Sequence, residues 1–417
     1  MYRELFDFIQ KAPTAFQAVA EFRTRLLRDG AVELREDAPW ELRYGVTYFI
    51  TRNDSAIVIF QIPEEGEEFR VFAAHSDSPS FKVKENPEIV VEDKYVKLNV
   101  EPYGGMICSS WLDRPLSVAG RLTVRDGDGL KTVPVNVDRD LLIIPNVAIH
   151  QNREVNKGYV WNMQTDMLPL LGGIETKGSF LKIVAEHAGV REEDILGHDL
   201  FLTIREKGRV FGANGEYMAG SRFDDIECAL AGFLGFQKAS KKRHIPVLMV
   251  FDNEEVGSQS RQGAASTFLL DTVTRIAEEL PRGVKALRDM IPGSFLLSAD
   301  NGHALHPNHP EKCDPTNRPV LNGGILIKYA ATQRYATDGL SGAFVKKLCE
   351  EAGVPYQVFH NRSDMAGGGT LGSISTAQVP FPLADIGLAE LAMHSAVETA
   401  GVKDFEYLVK LAETFFA

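Results

Sequence analysis

Cysteine is scarce in this chain: Cys108, Cys228, Cys313 and Cys349 are the four among 417 residues, far apart and without a CxxC pair. That spacing excludes a disulfide framework, argues against a thiolate zinc site, and suits a protein kept reduced in the cytoplasm. Long apolar runs are missing as well. No stretch of about 18 apolar residues occurs, so nothing reads as a membrane span. The opening MYRELFDFIQKAPTAF lacks the basic-then-apolar order of a secretion signal. Positive charge is in deficit, with 45 Lys and Arg against 57 Asp and Glu and a net charge of −12, which argues against nucleic acid as a partner. The one basic cluster, Lys238 to Arg243 in KASKKRH, precedes an apolar run and reads as a solvated helix end matching the macrodipole. Internal repeats and low-complexity tracts are absent. What is left is an ordinary globular composition, 44% hydrophobic and 24% charged, on a chain too long for a single compact core.

The most telling segment present is Asp252-Asn253-Glu254-Glu255-Val256-Gly257-Ser258, directly after the apolar run Ile245 to Phe251. Neighbours on a strand point to opposite faces, so a Glu-Glu pair inside a strand would drive one charge into the core. Just past the end of a strand, both carboxylates can line a cleft. The pattern recurs. Val71 to Ala74 runs into His75-Ser76-Asp77, Ser294 to Ala299 runs into Asp300, and Pro382 to Gly387 leads on to Met393-His394-Ser395. Apolar segments that repeatedly end on metal-ligating residues predict strands feeding one rim, and open α/β sheets bind ligands at the carboxyl ends of their strands.

The wider texture agrees. Residues 3–28 read as an amphipathic helix pair broken at Pro13, and 48–62 and 70–74 read as strands. Short β-like pieces follow at 88–100, 116–124, 132–137 and 200–205, separated by turn signals such as Asp126-Gly127-Asp128-Gly129. From about residue 214 helices and apolar strands alternate: a helix from Asp225, a strand at 245–251, a helix from Thr267, a strand at 294–299, a helix from Leu340 and a last helix from Leu388. His75 lies before the β-rich stretch and the other candidate ligands lie after it. The expected architecture is therefore one discontinuous α/β domain, 1–84 with 211–417, interrupted by a β-rich domain at 85–210.

Each candidate has a plainer explanation alone. His75 with Asp77 forms a His-x-Asp unit in which the carboxylate could fix the tautomer of a ligating imidazole, although such pairs are common on surfaces. Asp224 and Asp225 precede an apolar helix, where acids serve as caps; Asp225 is read as such a cap, whereas Asp224 could aim a carboxylate into the cleft and bridge two metals about 3.5–4 Å apart. Of Glu254 and Glu255, one would ligate and the other would move protons. Asp300 opens Asn301-Gly302-His303-Ala304-Leu305-His306-Pro307-Asn308-His309, three of the ten histidines in one loop, and His394 starts the last helical segment. Together these residues suit two divalent cations with mixed nitrogen and oxygen ligands, Zn²⁺ or else Co²⁺ or Mn²⁺.

HSDSP at 75–79, SRFDD at 221–225, DNEEVGS at 252–258, SADNGHALHPNHP at 298–310, QRYATDG at 333–339 and MHS at 393–395 stand in the order found in the M18 metallopeptidases, the aspartyl aminopeptidase family, which the chain resembles from FIQKAPTAFQAVAEF to its last helix. The resemblance implies a zinc-exopeptidase-like α/β/α sandwich interrupted by a dimerisation and lid domain, with assembly into a tetrahedral dodecamer. It implies that His75 and Asp300 hold one metal, Glu255 and His394 the other, and that Asp224 bridges them. Glu254 would be general base and acid, supported by Asp77 behind His75. His150 would reach into a neighbouring subunit's site. Substrates would be peptides with a free N-terminal Asp or Glu, met by Lys328, with Arg334, His303 and His306 assisting. Thr332 stands where some animal members carry a second lysine, and Gln17 where a histidine is common. Those departures keep a neutral or broad preference in view. A catalytically silent scaffold or cargo protein is the alternative of another class, and it should have lost Glu254 or a ligand, which this chain has not.

Overall fold

Side-chain alternation sorts the central strands into layers. In the strand Phe69–His75, Phe72 and Ala74 enter one buried cluster while Phe69, Val71 and Ala73 enter another. In Ile245–Phe251, Leu248 and Val250 take the first side and Val247 and Met249 the second. A strand covered on both faces has no polar side, which explains its unbroken apolar sequence. The computed structural model describes residues 1–66 and 68–417. Among the described residues, nine strands form one mixed sheet, in the order Val32–Glu33, Thr47–Arg52, Ala56–Gln61, Ile245–Phe251, Phe69–His75, Phe295–Ala299, Leu383–Gly387, Ile325–Lys328, Tyr356–Phe359. The middle four, from Ile245–Phe251 to Leu383–Gly387, run parallel, so their carboxyl ends share one rim.

Helices cover both faces. Leu5, Phe8, Phe22, Phe233, Val345 and Leu408 bring the helices Tyr2–Lys11, Ala15–Arg28, Phe223–Lys238, Gly339–Ala352 and Asp404–Phe416 onto the side of Phe72. Phe268, Val273 and Leu371 bring Phe268–Glu279 and Leu371–Gln378 onto the side of Val71. The result is the expected α/β/α sandwich. Among the described residues, no helix is long and apolar enough to cross a membrane.

A separate antiparallel sheet is built from Gly129–Asn136, Leu116–Asp126, Ile195–Ile204, Ser80–Val91, Tyr95–Tyr103 and Leu170–Gly173. Its own core gathers Phe81, Val100, Trp111, Leu122, Phe180 and Leu200. Gln17 anchors it to the sandwich: its buried amide donates to the carbonyls of Gly120 (2.7 Å) and Val135 (3.0 Å). A third, small sheet joins Arg209–Phe211, Tyr217–Gly220, Glu398–Gly401, Ala389–Leu391 and Gly302–His303.

Three expectations need correction. The apolar segments at 48–62 and 88–100 are not single strands. The first is a hairpin turning at Asn53 and Asp54, the second lies within a hairpin turning at Glu92 and Asp93, and all four turn residues adopt positive φ. The last helix starts at Asp404, not at Leu388. Leu388 to Met393 is rich in helix formers, but Ala389–Leu391 pairs with strands on both sides, and positive φ at Ala392 and His394 breaks any helical path. Pairing and burial override propensity here. His394 consequently sits in a turn rather than at a helix start.

Candidate metal centre

The shared rim gathers the predicted residues. His75 ends its strand and is buried. Its Nδ1 lies 3.1 Å from the Asp77 carbonyl and 3.3 Å from Asp77 Oδ1. A carbonyl only accepts, so Nδ1 carries a proton and Nε2 faces inward, 3.4 Å from Asp224 Oδ1. His394 repeats this arrangement from the opposite side. Its Nδ1 donates to the Gly105 carbonyl (2.8 Å), and Nε2 stands 3.3 Å from both Asp224 Oδ2 and Glu255 Oε2. Asp224 thus turns one oxygen to each imidazole.

The backbone explains how. The helix Phe223–Lys238 is irregular at Asp224 and Asp225, which leave helical φ/ψ and so project into the cleft. Glu398, buried on the small sheet, ties the parts together: it accepts from the amides of Phe223 (2.7 Å), Asp224 (3.3 Å) and His394 (2.9 Å). The Glu254–Val256 turn follows Ile245–Phe251, and the Glu254 and Glu255 amides donate to the two oxygens of Asp77 at 3.1 and 3.2 Å. Asp300 follows Phe295–Ala299 and stands 3.6 Å from the Lys328 ammonium.

Ligand atoms of His75, Asp224, Asp225 and Asp300 lie within 4.8 Å of one another, as do those of Asp224, Glu255 and His394, and those of His75, Glu254 and Glu255. Asp225 is the residue that sequence reasoning set aside as a helix cap. It is fully buried instead, and its Oδ2 accepts from the His75 amide (3.0 Å). A capping acid and a buried one look alike in sequence, because both precede an apolar helix. Tyr103, Glu398 and Gly105 were missed for a different reason: their partners are remote in the chain.

The other predicted residues are more dispersed. Lys328 is 1% exposed, and its ammonium donates to the carbonyls of Asp300 (2.7 Å) and Asn301 (3.1 Å), so it braces Asp300 rather than projecting free into a pocket. His303, exposed at the end of the short strand Gly302–His303, has its pKa lowered by desolvation and by Lys328. The His306 ring lies tilted against His309, centroids 5.3 Å apart, in the loop after Asp300. Arg334 donates to the carbonyls of Ala366 and Gly367 and so braces the glycine-rich segment. His150 lies in an exposed turn, without a hydrogen bond or ion pair among the described residues.

Electrostatics favours cations. Burial and the surrounding carboxylates push Glu254 up to about 8 and Asp300 up to about 6, against the pull of His75 and Lys328. Burial and Asp224 hold Glu255 well above the carboxylate range. Burial works against the charge of His394, yet Asp224 raises it to about 9. Asp224 Oδ1, Asp225 Oδ1 and Glu255 Oε1 are buried without a hydrogen-bond partner among the described residues. Orphaned carboxylate oxygens around two inward-facing imidazole nitrogens, which give up their protons to a metal, are what a pair of divalent cations satisfies, so these residues fit metal.

The profile of the family described as Aminopeptidase I zinc metalloprotease (M18) matches residues 8–416. The chain belongs to the M18 family. It is 44% identical to a probable M18 family aminopeptidase 2 of Clostridium novyi, across 99% of this chain and 98% of that one. Among solved structures it is similar to a chain of the Ape4 and Nbr1 complex (TM-score 0.95, 33% identity, covering 99% of this chain and 84% of that chain). It is also similar to the S. cerevisiae mApe1 dodecamer (TM-score 0.88, 26% identity, covering 99% and 95%). This M18 chain is a metallo-aminopeptidase.

Proposed function

We propose that this aminopeptidase removes an N-terminal Asp or Glu from peptides with two divalent cations, Zn²⁺ in the first instance, and Glu254 as general base. The observation that carries the reading is Asp224, which turns one oxygen toward His75 and the other toward His394 and Glu255. In this reading His75 and Asp300 hold one cation, Glu255 and His394 the other, and Asp224 both. When bound, the cations supply Lewis acidity toward the scissile carbonyl and the attacking water. Glu254, kept off the ligand set, takes the proton of the attacking water and passes it to the leaving amine. Asp77 holds the Glu254 amide and the His75 ring, so base and ligand keep a fixed spacing.

Acidic preference draws its support from one cation beside the centre, Lys328, whose ammonium lies 3.6 Å from Asp300. His306 and Arg334 are more distant contributors. A neutral or broad preference is the second reading, favoured by the engagement of Lys328 with main-chain carbonyls. Aminoacyl-p-nitroanilides of Asp, Glu, Leu, Lys and Ala, with Zn²⁺, Co²⁺ or Mn²⁺ and a chelator control, decide between them. Metal-dependent cleavage confined to Asp and Glu is the expected result. Cleavage led by Leu overturns the specificity, and no cleavage by metal-loaded protein brings back the scaffold alternative.

The proposed domain 85–210, which carries most of the antiparallel sheet although its strand Ser80–Val91 begins before residue 85, is the proposed dimerisation unit, and the dodecamer of the S. cerevisiae relative supports a closed homo-oligomer for this chain. The four unpaired cysteines suit the cytoplasm as the proposed compartment. His150, exposed in the single chain, would then complete a neighbour's site. Subunits carrying His150→Ala and subunits carrying Glu254→Gln should each be impaired alone and regain activity in mixed oligomers. Mixed assemblies without recovered activity end the trans role.

A further inference from the structure

We propose that Tyr103 to Ser110 is a strap by which the antiparallel sheet holds both halves of the metal centre, with Tyr103 as the positioning residue for Asp77 and the Gly105 carbonyl as the orienter of His394. The inference rests on the two-cation reading above. Tyr103 ends the strand Tyr95–Tyr103 and packs edge-to-face on Phe201 of the same sheet, with centroids 5.4 Å apart. Its hydroxyl accepts from the Asn253 side-chain amide (2.7 Å), so its own proton points the other way, to Asp77 Oδ2 (2.7 Å). Asp77 is the hub that orients His75 and receives the amides of Glu254 and Glu255. One phenol therefore fixes a ligand, the proposed base and a second ligand through a single carboxylate.

The strap then crosses to the other half. Gly104 has φ +75, and a Cβ there would lie 3.1 Å from the Glu255 Cβ, so the chain passes against that ligand at a distance glycine permits. Gly105 accepts from His394 Nδ1 (2.8 Å), the Ile107 amide donates to the His394 carbonyl (3.0 Å), and the Ala396 amide donates to Ser110 Oγ (2.8 Å). Both imidazoles thus owe their orientation to contacts that trace back to this one segment of the neighbouring sheet. Partners of metal-bound imidazoles fix tautomer and ring angle, and their loss costs about 10–100-fold in metal affinity. Linkage makes the effect reciprocal: if the strap tightens metal binding, metal tightens the strap.

Tyr103→Phe in the full-length protein removes only the hydroxyl. Calorimetric titration of the metal-free variant with Zn²⁺ is expected to show affinity about 10–100-fold below wild type. The visible spectrum of the Co²⁺-loaded variant should also change, which a purely structural role would not produce. Gly104→Ala, which displaces the strap, should weaken metal binding likewise. In wild type, Zn²⁺ is expected to slow amide hydrogen exchange at Ile107. Wild-type Zn²⁺ affinity and an unchanged Co²⁺ spectrum in Tyr103→Phe overturn the proposal, as does exchange at Ile107 indifferent to Zn²⁺. If Tyr103→Phe does not fold, the wild-type exchange measurement decides alone. Wild-type protein that takes up no Zn²⁺ sinks the two-cation reading instead, so the two failures are distinguishable.

Discussion

Glu254→Gln is expected to keep its metals and its assembly while kcat falls by about 10²–10⁴-fold, the range for removing a general base. That loss corresponds to about 3–5 kcal/mol of transition-state stabilisation. Glutamine fills the same space and can still accept a hydrogen bond, but it cannot take a proton from water at neutral pH. The five proposed ligands remain, and the Glu254 amide that reaches Asp77 belongs to the backbone and is untouched. KM should change little, because the missing interaction operates only as the proton moves. Burial and the carboxylates of Asp300, Asp77 and Asp224 push Glu254 up to about 8 against the pull of His75. Removing a carboxyl from that crowd relieves repulsion, so the metal-free variant should melt no lower than wild type. Metal analysis, light scattering and steady-state kinetics on one preparation test all of this. Wild-type kcat would place the base elsewhere, and lost metal would make Glu254 a ligand.

The site was legible where chemistry and strand ends coincide. His75, Glu254, Glu255 and Asp300 each follow an apolar run, and parallel strands bring such ends to one rim whatever the connections between them. The sandwich itself was legible for the same reason, since strands covered on both faces have to be apolar throughout. What stayed hidden depends on partners without a local signature. Glu398 meets the Asp224 amide from 174 residues away, and Gly105 meets His394 through a carbonyl that every residue possesses. Asp225 was hidden by ambiguity, because a helix-capping acid and a buried acid share one sequence context. Lys328 illustrates a third limit. A lysine inside an apolar strand signals an electrostatic task, but only the fold shows that the charge faces Asp300 and two carbonyls. The segment from Leu388 failed because helix propensity is a local quantity and sheet pairing is not.

Asp224→Asn keeps the shape of the side chain, yet it is expected to empty the centre. Each oxygen of Asp224 faces a different imidazole, at 3.4 Å for His75 and 3.3 Å for His394. An amide offers one good donor oxygen, while its NH₂ group presents hydrogens to whichever cation it faces. Zinc per subunit, measured after dialysis against a limiting metal buffer, should fall below one. Affinity should drop by more than the roughly 10–100-fold lost with an outer partner of a ligand. Activity should fall with it, because both cation positions draw on this one carboxylate. The rival account makes Asp224 only the counter-ion of two charged imidazoles. Burial opposes its charge, but His394 and His75 override this and hold its pKa below the usual carboxylate range, which favours such pairing in the metal-free protein. Unit charges this close attract by roughly 5 kcal/mol at an effective dielectric of about 20. Asparagine would forfeit that attraction and lower the stability of the metal-free state under either account. Stability therefore cannot separate the two, and metal content can. Two zinc ions retained in a destabilised Asp224→Asn would leave Asp224 as a counter-ion and break the bridge on which the two-cation reading stands.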